Sequence, residues 1–345
     1  MSQTLISGDI GGTKTLLQLA LYSDEKKSQE VMHRYNSRDY TSFNDILKNF
    51  LNKSSAANTI SHPVAACFAI AGPIVAQRTK LTNLPWQVDA ADISTTFSIP
   101  NVKLINDFEA VALAVESLPP SDLVSLQAGN PQAQSMRVVL GAGTGMGVAW
   151  LTWQGNRYVP LSTEAGHMDF APSNKLQIGL LEALQNKFGH VSVERVLSGS
   201  GLTRIFKYLQ INSATPPEST PINLDEDSGA AISQLAQEHN HPIAIQSLEL
   251  FAEIYGAYAG NLALAGLCRN GVYIAGGIAP KIIDTLRSGG FMRAFSDKGR
   301  FSMLMHDIPV YVITNPKASL LGAEHEAQHL AQSKLRSIPG QTPEI

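Results

Sequence analysis

Two glycine-rich stretches carry the first chemistry that can be read from this chain. Residues 8–15 read GDIGGTKT and residues 141–147 read GAGTGMG, each between two apolar runs. Successive backbone N–H groups in such a turn form a nest for phosphate oxygens, and glycine lets the phosphate approach without a β-carbon in the way. Gly8, Asp9, Ile10, Gly11, Gly12 and Thr13 in the first stretch, and Gly143, Thr144 and Gly145 in the second, are therefore candidate nucleotide contacts. Setting Gly8 on Gly141 places Asp9 opposite Ala142. On that alignment only the first hinge carries a carboxylate able to help hold magnesium, through water, while a second acid would repel the phosphates. Neither stretch is GxxxxGK[ST] or GxGxxG, and neither runs straight from strand into helix, which argues against a P-loop and a Rossmann dinucleotide site. A tight β-turn without a ligand is the competing reading of either hinge alone, and their short match only suggests an internal duplication.

A second group of residues has the chemistry of a hydroxyl reader. LINDFEAVALAV puts Asn106 and Asp107 where a strand runs into a helix. With Glu109 three residues on, Asn106 fits a capping box, which needs no chemistry. Strand ends in α/β sheets also line ligand crevices, where Asp107 could take a proton from a substrate hydroxyl, and the motif alone leaves both readings open. STEAGHMDFAP at 162–172 gathers Glu164, His167 and Asp169 around small residues, and VSVERVLSGSGL at 191–202 adds Glu194. Glu194 also fits an ordinary first-turn acid behind an N-cap Ser192. Asn, Asp, Glu and His with few cations suit a neutral polyhydroxylated ligand, whose hydroxyls both donate and accept. An anionic substrate would call for arginine. In YIAGGIAPK at 273–281, Gly276 and Gly277 follow a strand, where a nucleoside could lie flat against the backbone.

These residues need elements to hold them. Residues 4–22 read as strand, turn, strand, and the second hinge repeats that unit. VAACFAI and KLIND read as buried strands, with FEAVALAVESL a helix presenting Phe108, Val111, Ala112 and Val115 on one face. FNDILKNFL has helical spacing, residues 176–209 are mainly helical, and a long helix ends near Gly271. A last strand, IPVYVIT, and a last helix, KASLLGAEHEAQHLAQ, complete the pattern. Alternating strands and helices predict an α/β fold. LPPSD at 118–122 is a candidate domain boundary, 212–229 a polar surface loop and 336–345 a disordered tail.

Composition bounds the partners. A chain of 345 residues suggests about two domains, and 44% apolar against 16% charged residues allows a large core. The net charge of −3 gives no electrostatic reason for nucleic acid or an anionic membrane. No signal-peptide pattern or membrane-length apolar run is visible, so the expectation is cytoplasmic. Cys67 and Cys268 belong to no CxxC pair and read as buried reduced thiols rather than zinc ligands.

From Gly8 to about Gly322 the sequence resembles the bacterial glucokinase family, within the actin-like and hexokinase-like ATPases. The resemblance rests on GDIGGTKT, GPI, LTNLPW, LINDFEAVALAV, GAGTGMGVA, EAGHMDFAP, ERVLSGSGL, IAGGIAPK and FSDKGRFSMLMHDIPVYVI. It implies a two-domain actin-like (ribonuclease H-like) ATPase fold with glucose in the cleft between the domains. The small domain would be residues 1–116 plus 315–345, and the large one 117–314. It implies that Asp107 is the base, that Asn83, Asn106, Asp107, Glu164, His167 and Glu194 bind the sugar, and that the two hinges with Gly276 and Gly277 hold ATP and Mg2+. A homodimer is implied too. The expected activity is ATP-dependent phosphorylation of glucose. Kinases for another hexose or an amino sugar, and a non-catalytic sugar or nucleotide sensor, are the alternatives.

Overall fold

The computed structural model describes residues 2–23, 26–55, 62–81, 83–212, 224–225 and 227–335. Most of the 212–229 loop and the 336–345 tail therefore lie outside the described residues. The chain divides into two compact units, Met1–Leu118 with Pro316–Ile345, and Pro119–Asn315.

In chain order, the first unit runs β1 (Ser2–Ile10), β2 (Lys14–Ser23), β3 (Lys26–Asn36), α1 (Phe43–Ser55), β4 (Ala65–Ile70), β5 (Arg78–Lys80), β6 (Gln87–Asp89), α2 (Ala90–Phe97), β7 (Val102–Asn106) and α3 (Asp107–Ala114). The second unit continues with β8 (Leu123–Gln127), β9 (Arg137–Ala142), β10 (Met146–Gln154), β11 (Arg157–Thr163), α4 (Lys175–Phe188), α5 (Gly199–Asn212), α6 (Gly229–Gln237), α7 (Pro242–Ala265), β12 (Val272–Ala275), α8 (Ile283–Arg287), α9 (Gly290–Ser296), α10 (Ser302–Asp307) and β13 (Val310–Ile313). The chain then returns to the first unit as α11 (Ala318–Leu335).

Each unit is built on one sheet, and the two sheets repeat one plan. The first has order β3-β2-β1-β4-β7, the second β11-β10-β9-β12-β13 with β8 added at the edge. In both, the first three strands form an antiparallel meander and the next two lie parallel to the first. The central β4 has helices over both faces and reads as an unbroken buried run, AACFAI. One face of the first sheet packs Ile6 and Ile10 with Phe43, Ile46, Leu47 and Phe50 of α1. The other packs Leu5 and Cys67 with Ala110 and Leu113 of α3 and Ala323 and Ala327 of α11.

Four readings from the sequence are corrected here. Helix α3 buries Ala110, Ala112, Leu113 and Ala114, so that of the expected stripe of Phe108, Val111, Ala112 and Val115 only Ala112 is fully buried, because α11 as well as the sheet covers the helix. Helix α7 stops at Ala265, and a turn with Gly271 at φ +128 leads into β12. Asp169 does not join Glu164 and His167: it is exposed and paired with His190 at 2.7 Å. Last, the hinge alignment is one residue out. Strand alternation puts Ala142 with Val138 and Leu140 in the core under α7, the face that corresponds to Ile10, so Asp9 corresponds to Gly141. The turn bonds agree, since Gly11 N–H donates to the Lys14 carbonyl and Gly143 N–H to that of Gly145. The first turn is one residue longer between paired ends, Ile10 with Thr15 against Ala142 with Met146, and glycine spacing alone hides this.

Cys67 and Cys268 are buried free thiols, and burial pushes the Cys268 thiol up to about 12. Among the described residues no helix is long and apolar enough to cross a membrane.

Candidate functional site

In the first unit the parallel strands β1, β4 and β7 end level with one another, with Ile10, Ile70 and Asn106 side by side in register. The loops and helix starts beyond these three strands therefore collect at one sheet edge, as ligand crevices do in α/β folds. After β1 comes the turn of Gly11, Gly12 and Thr13. Ser37 holds it from behind: its N–H donates to the Thr13 carbonyl at 3.0 Å and its hydroxyl to the Gly11 carbonyl at 2.8 Å. With those carbonyls occupied, the Gly12 and Thr13 N–H groups bond to no described residue and form the open side of the nest. Asn83 packs on Gly12.

Asp107 opens α3. Its Oδ1 accepts the N–H of Phe108 at 2.9 Å. Burial is the main reason its carboxyl is pushed up to about 6, and the charge of Asp9 adds to the rise, against the Phe108 N–H, which lowers it. Asp9 is raised as well, by burial, although Ser319 donates to its Oδ1 at 3.1 Å and Lys14 lies near enough to offset part of the rise. Asn106 performs the capping role in full. Its Oδ1 accepts from Phe108 N–H, Glu109 returns a bond to the Asn106 N–H, and its amide donates to the Gly72 carbonyl at 3.1 Å.

In the second unit the turn of Gly143, Thr144 and Gly145 is held by different groups. Gly199 N–H donates to the Gly143 carbonyl at 2.9 Å, and Glu194 Oε2 accepts the Met146 N–H at 2.9 Å. Ser192 is the N-cap residue of a short turn and Glu194 its first-turn acid, as the sequence suggests, but Ser192 makes no side-chain cap bond and the Glu194 carboxylate bonds to Met146. Gly276 follows β12 at φ +83, and a β-carbon there would overlap the Ala142 carbonyl, so only glycine fits. Gly143, Thr144 and Gly277 line a cavity of about 240 Å³ together with Gly199, Asp227 and Lys281. Glu164 and His167 are exposed at either end of a short turn, where His167 N–H donates to the Glu164 carbonyl at 2.9 Å. A larger cleft of about 410 Å³, with Glu253, Arg293, Asp297 and Lys298, contains none of these residues, and its Lys298 is already bonded to the carbonyls of Ala257 and Ala294.

Ser37, Ser319 and Asp227 are not legible from the sequence, because each reaches the site through contacts distant along the chain, while Gly199 and Lys281 stand inside ERVLSGSGL and IAGGIAPK without being singled out there.

Each unit thus presents a glycine turn at a sheet edge, the first on a sheet that also carries the buried carboxyl of Asp107, the second beside a cavity of about 240 Å³. The glucokinase family matches residues 6–330 of this chain. A glucokinase of Nostoc punctiforme is 43% identical across 92% of this chain and 97% of its own length. The crystal structure of a glucokinase from an Antarctic psychrotroph, 32% identical, superposes with a TM-score of 0.85 over 95% of this chain and 99% of that one. A ROK-family glucokinase from Streptomyces griseus, solved with glucose and AMPPNP, shares the fold at 20% identity, with a TM-score of 0.58 over 94% of this chain and 99% of that one. The α/β architecture is that of the two-domain actin-like ATPases, and the chain belongs to the glucokinase family.

Proposed function

We propose that this chain phosphorylates glucose at its 6-hydroxyl from ATP, with Asp107 as the general base. The observation that carries this reading is a carboxylate held at about 6 at a strand end, beside a phosphate-type nest. The hydroxyl O–H bond breaks and its proton passes to Asp107. The oxygen forms the new bond to the γ-phosphorus as the bond to the β,γ-bridging oxygen breaks, and ADP leaves. A base near neutrality is still ionised at pH 7 yet basic enough to accept, and contributes roughly 10²–10⁴-fold. Most of the remaining acceleration comes from orientation and from the N–H groups of the two turns. Asn83, Asn106, Glu164, His167 and Glu194 read sugar hydroxyls, with Asn106 also capping α3.

The donor set fits magnesium. Asp9 keeps its Oδ2 clear of the Ser319 bond, and its charge raises the buried Asp107 carboxyl, which favours a counter-charge between them. Among the described residues no three His, Cys, Asp or Glu gather as a metal cage, so the ion would take most ligands from water and phosphate, as Mg2+ prefers. It would neutralise charge on the transferring phosphoryl group. The homodimer implied by the resemblance is checked by sedimentation of the purified chain.

The experiment is Asp107→Asn, with turnover measured by coupled ADP release and glucose affinity by calorimetry. The expected result is a kcat at least ~10²-fold lower with glucose still bound. Near-normal turnover in the folded variant would leave Asp107 only its place at the start of α3.

A further inference from the structure

The Met146 backbone meets one residue assigned to the sugar and packs against the short turn that carries two more. Its N–H donates to Glu194 Oε2 at 2.9 Å. Its carbonyl lies against Gly166, between Glu164 and His167, so closely that any β-carbon at 166 would overlap it. Met146 is also the residue at which the second turn ends and β10 begins. A β-carbon on Gly145 would stand 2.5 Å from the same Glu194 oxygen, so the turn and the carboxylate are fitted to each other.

Glu194 is itself held in place. It lies between the buried Val193 and Val196, and its carbonyl accepts the Ser198 hydroxyl at 2.8 Å. Oε2 is committed to the turn, while Oε1 bonds to no described residue. A carboxylate with one oxygen fixed and one open can accept from a ligand hydroxyl without letting go of the peptide.

We infer that Glu194 is a positioning residue for the nucleotide as well as a reader of the sugar, and that through it the two ligands bind cooperatively. The inference rests on the reading of Gly143–Gly145 as a phosphate nest. A hydroxyl bonding to Oε1 fixes the carboxylate, the fixed carboxylate holds Met146, and Met146 sets the direction of the N–H groups of the turn. By linkage, ATP must then strengthen glucose binding by the same factor.

The test measures affinity for AMPPNP with magnesium, with and without glucose, by calorimetry. In the parent, glucose is expected to tighten AMPPNP about fivefold or more, the lower end of ordinary coupling between sites. Glu194→Ala is expected to weaken AMPPNP about tenfold even without sugar, the effect of losing one hydrogen bond to a charged acceptor, and to abolish most of the glucose enhancement. Glu194→Gln keeps an acceptor for the Met146 N–H, though an uncharged one, so its sugar-free AMPPNP affinity should lie closer to the parent's than to that of Glu194→Ala. A merely structural role would not give that rescue.

If Glu194→Ala does not fold, Gly145→Ala serves instead, because its β-carbon displaces the carboxylate while keeping the charge. It should weaken AMPPNP and glucose together. Parent-like AMPPNP binding in Glu194→Ala, an equal loss in Glu194→Gln, or no glucose enhancement in the parent overturns the inference. Gly143→Asp separates this from the reading beneath it. If that variant also binds AMPPNP normally, the turn is not at the phosphates at all. If it loses AMPPNP while Glu194→Ala does not, only the positioning role fails.

Discussion

The turn after β1 and the turn after β9 sit at the same place in two sheets of the same order, yet they are held by opposite chemistry. The first is gripped at its carbonyls by a neutral side chain, Ser37, and its strand carries Asp9. The second is gripped at the Met146 N–H by a carboxylate, Glu194, and its strand carries Gly141 where Asp9 would be. A repeated backbone can therefore supply two glycine turns while leaving the strand-end acid to one of them. In the second unit the acid stands behind the turn, bonded to a peptide, where it can orient the N–H groups.

The largest expected effect tests the register on which this comparison depends. Ala142 is 0% exposed, at the end of β9 under α7, with its N–H bonded to the Tyr255 hydroxyl. Ala142→Asp would bury an unpaired carboxylate and should destabilise the fold by roughly 3 kcal/mol or more, read as a fall in the urea midpoint. Gly143 is one residue further on, and a β-carbon there meets nothing within 4 Å. Gly143→Asp should fold normally and instead weaken ATP by something on the order of 1–4 kcal/mol, the repulsion of unit charges ~4 Å apart. A stable Ala142→Asp protein that has lost ATP would restore the alignment of Asp9 with Ala142.

The next effect belongs to the first unit alone. Asp107 is raised in the fold to about 6, above its unfolded value of roughly 3.9, so the folded state binds its proton more tightly. Stability from this group is thus full at low pH and declines as pH rises from about 4 to about 6, by up to roughly 3 kcal/mol. Activity moves the other way, with kcat/KM falling below about pH 6 as the base is protonated. Asp107→Asn should flatten both profiles and raise stability at pH 8 by roughly 1–3 kcal/mol, since the amide carries no desolvated charge. A variant less stable than the parent at pH 8 would mean that the ionised carboxylate is stabilised by contacts beyond Phe108.

The features legible in the sequence share a physical reason. The hinges, the capping box at Asn106 and Glu109, and the Gly276–Gly277 loop are local patterns in which a few adjacent residues dictate a backbone shape. Strand β3 was missed because KKSQEVMHRYN is an exposed edge strand rich in charge, without apolar alternation. Ser319 was missed because it reaches Asp9 across 310 positions of sequence, which no spacing rule encodes. The hinge alignment failed for a related reason. Glycine identity marked where the turns are, whereas the facing of Asp9 and Ala142 is set by which helix covers each strand.

The smallest expected effect separates the two grips. Ser37 is 0% exposed, and its hydroxyl joins the Gly11 carbonyl at 2.8 Å to the Thr15 hydroxyl at 2.9 Å. Ser37→Ala removes both bonds but keeps the backbone N–H that donates to Thr13. One such neutral bond contributes about 1 kcal/mol, so ATP affinity should fall about fivefold. Glucose affinity should stay within about twofold, because the Ser37 hydroxyl touches the turn after β1 and no residue assigned to the sugar. Glu194→Ala, by contrast, should weaken both ligands. Measuring both affinities in both variants sets a neutral grip directly against a charged one. If Ser37→Ala loses glucose as strongly as ATP, the first turn is coupled to the sugar as the second is, and the two hinges differ in chemistry without differing in what they connect.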